Sequence, residues 1–241
     1  MSINGRNVPL PIQKRLKQEA NFGCALCGCP ILEYAHIIPY RNTQAFLPEN
    51  MISLCPTHHI EFQRGVISES YLRDAKNSPH NKIRVKDAFF IESEEMTVNL
   101  GKSKFINTSR ILVINDFDII SIKQDSNEKF LLLDINFFDK LNNLIAVLSD
   151  NSWVAEKTTT SSVWNIDYKP QHLIMRNASK EILFESKIEN GEVFINGDMY
   201  YNRLPIKITN NGIWLGEREL AIEFKGCVLK NYDIGVNAQT D

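Results

Sequence analysis

CALCGCPILEYAHIIPYRNTQAFLPENMISLCPTHHIEFQRG, residues 24–65, gathers most of the metal-competent chemistry of this chain. Four of the five cysteines and three of the five histidines fall inside it. Cys24 and Cys27 are spaced C-x2-C, and Cys55 and His58 repeat the interval as C-x2-H. A tetrahedral structural zinc site takes four soft or borderline ligands from two loops, commonly three cysteines and one histidine. These four residues supply such a set. Gly28, directly after the first pair, suits the unusual backbone angle of a tight metal-binding turn. Cys29 lies one residue outside the pattern and reads as a spectator, and the isolated Cys227 reads as a core residue.

The flanking pattern gives the order helix, strand, loop, strand, helix. PIQKRLKQEANFG opens with Pro11, repeats Ile12, Leu16 and Ala20 at helical spacing, and stops at Gly23. Its Lys14, Arg15 and Lys17 form either a phosphate-facing or a solvated face. Ile31 to Ile38 is a β-prone run stopped by Pro39, residues 40–50 read as loop, and Met51 to Leu54 as a short strand. A helix follows from His58 to Arg64, and a second is expected over 68–76 with Ser68 as its N-cap.

The remainder of the chain differs in character. Residues 91–110 are polar and mixed, the expected linker. From 111 to 241, runs such as ILVINDFDIISI and EILFESKI predict a mostly β domain. Asn190-Gly191, Asn196-Gly197 and Asn211-Gly212 are expected turns, leading to a meander or sandwich, with a short solenoid open. One stretch, 136–150, has helical spacing through Phe137, Leu141, Leu144 and Leu148. The fold class expected is therefore α+β: a small zinc-braced domain over 1–90, a linker over 91–110, and a β-rich domain over 111–241.

Charge divides along the same line. Residues 1–90 carry 11 Lys and Arg against 7 Asp and Glu, and residues 91–241 carry 16 against 22. A polyanion is attracted to the first part and mildly repelled by the second. No apolar run is long enough to span a membrane, and the first residues lack the apolar core of a secretion signal. The expected location is the cytoplasm, where clustered cysteines serve as metal ligands rather than disulfides.

Three further residues stand out within the quoted stretch. His36 sits between apolar neighbours on the first strand, where the ordinary reading is a satisfied core histidine. Asn50 precedes the second strand. His59 adjoins His58, but neighbouring helical residues point about 100° apart, so the two imidazoles face different sites. The pattern C-x2-C … A-H-I-x-P … N-x4-C-x2-H-H-x2-F-x2-G resembles the HNH, or ββα-metal, endonuclease superfamily. It is closest to a branch of restriction endonucleases with an AHI-P motif. The resemblance covers roughly residues 6–70.

The resemblance implies roles for these residues. His36 would be the general base, Asn50 would hold the loop and orient His36 by a hydrogen bond, and His59 would ligate a catalytic Mg2+ or Mn2+. Gln63, one helical turn after His59, occupies a second metal position where the related pattern has Asp. Ala35 stands where many members carry a metal ligand. Glu33 is near, but its position three residues from His36 points it to the opposite face of the strand. Arg41 and Arg64 flank the site as candidate phosphate contacts.

The function expected is DNA phosphodiester hydrolysis in restriction or anti-phage defence. A zinc-stabilised module without catalysis, binding nucleic acid or a partner, and an RNA-directed toxin are the alternatives. An acidic second domain favours sensing of an activating ligand, a protein partner or self-association over DNA reading. Its Trp153, Trp164, Tyr168, Tyr200, Tyr201 and Trp214 read as core and edge-strand residues more readily than as a base pocket.

Overall fold

The computed structural model describes residues 7–82, 84–125, 130–156, 163–217 and 222–239. The chain divides into two compact units, Met1–Lys86 and Asp87–Asp241. None of the described helices is long and apolar enough to cross a membrane.

Among the described residues up to 82, the first unit is built on two short strands and four α-helices. Helix α1 (Leu10–Glu19) starts after Pro9, with Pro11 inside its first turn, and buries Leu16. Strand β1 (Glu33–His36) pairs antiparallel with β2 (Met51–Leu54), Glu33 opposite Leu54 and His36 opposite Met51. The connection holds more structure than the expected loop. Pro39 opens a one-turn helix α2 (Tyr40–Thr43), and Pro48 opens a 3₁₀ turn ending at Asn50. Helix α3 (Pro56–Gln63) follows β2 and packs against β1. Helix α4 (Glu69–Asn77) begins as expected at Ser68, whose hydroxyl accepts from Tyr71 N at 3.2 Å.

The core of this unit is small. Ala25, Ala35, Ile37, Ile52, Leu54 and Leu72 pack with Cys24 and Cys55, and Phe62 and Ile67 close it from the rim. Fully burying one leucine side chain contributes about 1.5–3 kcal/mol, so a core of this size leaves much of the stability to other braces. The participation of two cysteines in the cluster points to what that brace is.

Among the described residues, every element of the second unit is a β-strand. Its strands close into a barrel, and the ten-residue strand Glu192–Tyr201 is its hub. The first half of that strand pairs antiparallel with Ile182–Glu189 and parallel with Thr97–Leu100. Its second half pairs with Leu204–Thr209 and meets Phe138 opposite Tyr200. Alternation of buried and half-buried residues along Leu131–Phe138 and from Glu192 to Tyr200 gives the strands one core face. Several hairpins turn on two consecutive residues of positive φ, among them Asn115-Asp116, Asp150-Asn151, Asn190-Gly191 and Asn202-Arg203. Such turns match the twist of the strands they join. Asn151 adds a brace: its amide bonds Leu133 N at 2.8 Å and Leu131 O at 2.6 Å.

Three sequence expectations are corrected here. Residues 91–110 are not a linker: Ile91 is buried, and Thr97–Leu100 and Ser103–Ile106 form a hairpin of the second unit. The boundary falls at 86/87. The stretch 136–150 is not a helix. It supplies the end of the strand Leu131–Phe138 and all of Leu144–Ser149, two strands paired antiparallel with Ile135 opposite Leu148. The Asp139 carboxylate accepts from the backbone of Leu141 and Asn143, both at 2.9 Å, and turns the chain where the helical spacing ran on. Asn196-Gly197 is not a turn but the middle of the hub strand, where a methyl group on Gly197 would meet Leu183 O at 3.2 Å. Of the aromatics, Trp153 is buried in the core beside Tyr168, while Trp164 is exposed.

Candidate active site

The two knuckles come together. The donor atoms of Cys24, Cys27, Cys55 and His58 all lie within 4.8 Å of one another. His58 Nδ1 is 3.3 Å from the sulfurs of both Cys24 and Cys55, and the Cys27 and Cys55 sulfurs are 3.9 Å apart. Zn–S of about 2.3 Å and Zn–N of about 2.0–2.1 Å at tetrahedral angles place donors about 3.6–3.8 Å apart, so the set fits zinc. The local fold explains the convergence. Gly28, at φ +79°, closes the first knuckle with its N–H on Cys24 O at 2.8 Å. Cys55 is the N-cap of α3, which places His58 one turn along. Glu61 lies 3.9 Å from the far nitrogen of His58 and favours Nδ1 as the ligand atom.

Cys27 is the exposed member of the set, yet its sulfur sits among the other donors. Desolvation of that sulfur, reinforced by Cys24 and Cys55, pushes its thiol up to about 12. A cation supplies the positive charge that turns such thiols into thiolates.

His36 ends β1 and faces away from this cluster. Tyr40 packs edge-on against its ring at 5.4 Å and Phe46 lies at 5.5 Å, with the two aromatic rings 5.3 Å from each other. One side of the imidazole hydrogen-bonds the Ala45 backbone. Its Nε2 is shielded from solvent and has no hydrogen-bond partner. A satisfied core histidine does not leave a nitrogen in that state. Burial, with a smaller contribution from the nearby His59, holds its pKa below the ordinary imidazole value despite the Ala45 bond, which acts the other way.

Asn50 reaches β1 through the main chain: its carbonyl accepts from Ile37 N at 2.8 Å. The hydrogen bond that orients His36 therefore comes from Ala45 and not from the Asn50 amide. The position of Ala35 is explained by packing. It is 1 % exposed within the core cluster, which leaves no room there for a larger ligand-bearing side chain.

His59 is held from both sides. Its Nδ1 is 2.6 Å from Glu33 Oε2, and its Nε2 is 3.2 Å from the Gln63 amide nitrogen. The two contacts agree on one tautomer, with Nδ1–H donated to the carboxylate and a lone pair on Nε2. A histidine backed by a carboxylate in this way is the arrangement that metal-binding imidazoles use. Glu33 does lie on the opposite strand face from His36, but that is the face on which α3 packs. Arg41 and Arg64 stand exposed at α2 and at the end of α3. Sequence reasoning did not single out Tyr40, Phe46 or Ala45; aromatic residues four and ten positions after His36 were the available signal.

Residues 24–68 match the family model described as HNH endonuclease. No curated protein and no solved structure matches the chain. The matched segment spans both knuckles, β1, His36, Asn50 and α3, and the first unit of this protein therefore carries an HNH endonuclease domain at residues 24–68.

Proposed function

We propose that this protein is a metal-dependent endonuclease that hydrolyses DNA phosphodiester bonds, with His36 as general base, in restriction or anti-phage defence. The observation that carries the reading is the unpartnered Nε2 of His36, a proton acceptor held neutral by its surroundings. Ala45 fixes the ring, and the Tyr40 and Phe46 rings exclude bulk water around it. These rings have to yield when a phosphate and its attacking water approach. The main chain of Asn50 pins the end of β1 and thus the height of His36.

His59 Nε2 is the atom that would hold a Mg2+ or Mn2+ ion, with the Gln63 side-chain oxygen as second donor once its amide rotates. When bound, that ion would neutralise charge on the phosphate and the leaving oxygen. Cys24, Cys27, Cys55 and His58 would hold the structural zinc that ties β1 and α3 to the first knuckle. A net positive first unit, 11 basic against 6 acidic residues over 1–86, favours a polyanionic substrate, and exposed Arg41 and Arg64 are its candidate phosphate contacts. The acidic second unit is assigned to an activating ligand, a protein partner or self-association.

A second reading has its own observation. The Gln63 N–H already occupies the His59 lone pair, which favours a zinc-stabilised binding module without catalysis. Plasmid DNA incubated with the full chain and Mg2+ or Mn2+, beside His36→Ala, separates the two. Cation-dependent nicking that vanishes in the variant supports the enzyme. Intact plasmid in both, with one zinc per chain, supports the module. Cleavage of RNA alone in a parallel arm would redirect the assignment to an RNA-directed enzyme.

A further inference from the structure

The zinc knuckle is covered by a segment that lies more than fifty residues later in the chain. The main-chain N–H of His80 donates to Ala25 O at 2.9 Å, between the two knuckle cysteines. The Asn81 amide donates to Asn21 O at 3.2 Å and to Gly28 O at 3.4 Å, on either side of the knuckle. Asn21 returns a bond from its own amide to Asn81 O at 2.8 Å. Asn81 is 8 % exposed although it is polar and stands outside any helix or strand. The fit is close. A methyl group on Gly28 would lie 2.4 Å from Asn81 Oδ1 and 2.8 Å from His80 Nδ1, and one on Gly23 would lie 2.3 Å from Asn81 Nδ2. Asn21 and Phe22, just before the knuckle, both hold positive φ, at 47° and 60°. These are costly conformations for non-glycine residues, and the Asn21–Asn81 pair holds the first of them in place.

We propose that Asn81 is a positioning residue of the zinc site, and that zinc loading and the seating of residues 80–81 are one coupled event. Each requires the same arrangement of the Ala25 and Gly28 carbonyls, so whichever forms first prepares the other. The coupling is reciprocal: the seated segment raises zinc affinity by the factor by which zinc favours seating. Asn81 is six residues from the start of the second unit at Asp87. Loss of the ion therefore releases residues 80–81, back toward the end of α4 at Asn77. The inference rests on the structural zinc assignment and is independent of nuclease activity.

Two measurements on the full chain test it. In competition with a chromophoric chelator, Asn81→Ala is expected to bind Zn2+ about 10–100-fold more weakly than the parent, the usual effect of losing an outer-sphere partner. Asn81→Asp, which keeps the size but loses the N–H donor, is expected to behave like the alanine variant. In the parent protein, hydrogen exchange with and without chelator is expected to show the His80 N–H losing protection on zinc removal while Leu72 N–H of α4 keeps its own. Unchanged zinc affinity in both variants would overturn the proposal. So would a His80 N–H that stays protected without zinc, or that is lost only together with Leu72 in global unfolding.

Discussion

Glu33 Oε2 lies 2.6 Å from His59 Nδ1 and joins the first residue of β1 to the middle of α3. The contact sets which nitrogen of His59 carries the proton and leaves the lone pair on Nε2, where the Gln63 amide donates and a cation would take its place. Glu33→Ala is expected to raise the Mn2+ concentration for half-maximal nicking about 10–100-fold, with activity largely recovered at saturating Mn2+. Glu33→Gln, which keeps an acceptor oxygen, should fall between. Equal Mn2+ requirements in all three proteins would remove Glu33 from the site.

His36 gives a prediction in pH. Its pKa is depressed, chiefly by burial, so the neutral base persists below the ordinary value of about 6.5. The acid limb of the nicking rate is expected below that pH. The stability linkage has the same sign: the unfolded chain binds the proton more readily, so stability is lost as pH falls from about 6.5 through the folded value. Phe46→Ser, by letting water to the ring, should move the acid limb upward. A limb that stays in place would show that Phe46 does not shield the base.

Replacing His36 itself should cost at least about 100-fold in cleavage rate, the lower end for a general base, while zinc content stays at one per chain. Single-turnover cleavage beside zinc analysis checks both halves. A variant that loses zinc as well as activity would mean that the loss is structural.

Gln63 is the neutral member of the proposed cation-binding pair. Gln63→Asp removes the N–H that occupies the His59 lone pair and adds a charged oxygen one helical turn away. The half-activating Mn2+ concentration is expected to fall about tenfold, roughly 1.4 kcal/mol. A Mn2+ titration that superimposes on the parent would argue that the residue never meets the ion.

The zinc set predicts a difference between the units. Cys55→Ala, or a strong chelator, should strip exchange protection from the knuckle amides and the His80 N–H of the first unit, while amides of the hub strand Glu192–Tyr201 remain protected. Loss of protection in both units at once would contradict two independent cores.

The sequence by itself determined the parts of this protein that depend on short-range spacing. C-x2-C and C-x2-H put paired donors on single turns, Ser68 capped a helix, and His58 and His59 were bound to diverge because adjacent helical residues do. The family pattern over residues 24–68 is legible for the same reason: its residues lie on elements a few residues long. Spacing failed where a local signal was ambiguous. Phe137, Leu141, Leu144 and Leu148 fit a helix, and only the pairing of Ile135 with Leu148 and the turn made by Asp139 select strands. What the tertiary structure alone decided are contacts between residues far apart in sequence: Glu33 on His59, the aromatic rings around His36, and Asn81 on the knuckle that begins at Cys24. Packing fixed them, because the face of β1 that receives α3 and the loop that the end of α4 returns to are set by burial of a shared core and not by any period in the chain.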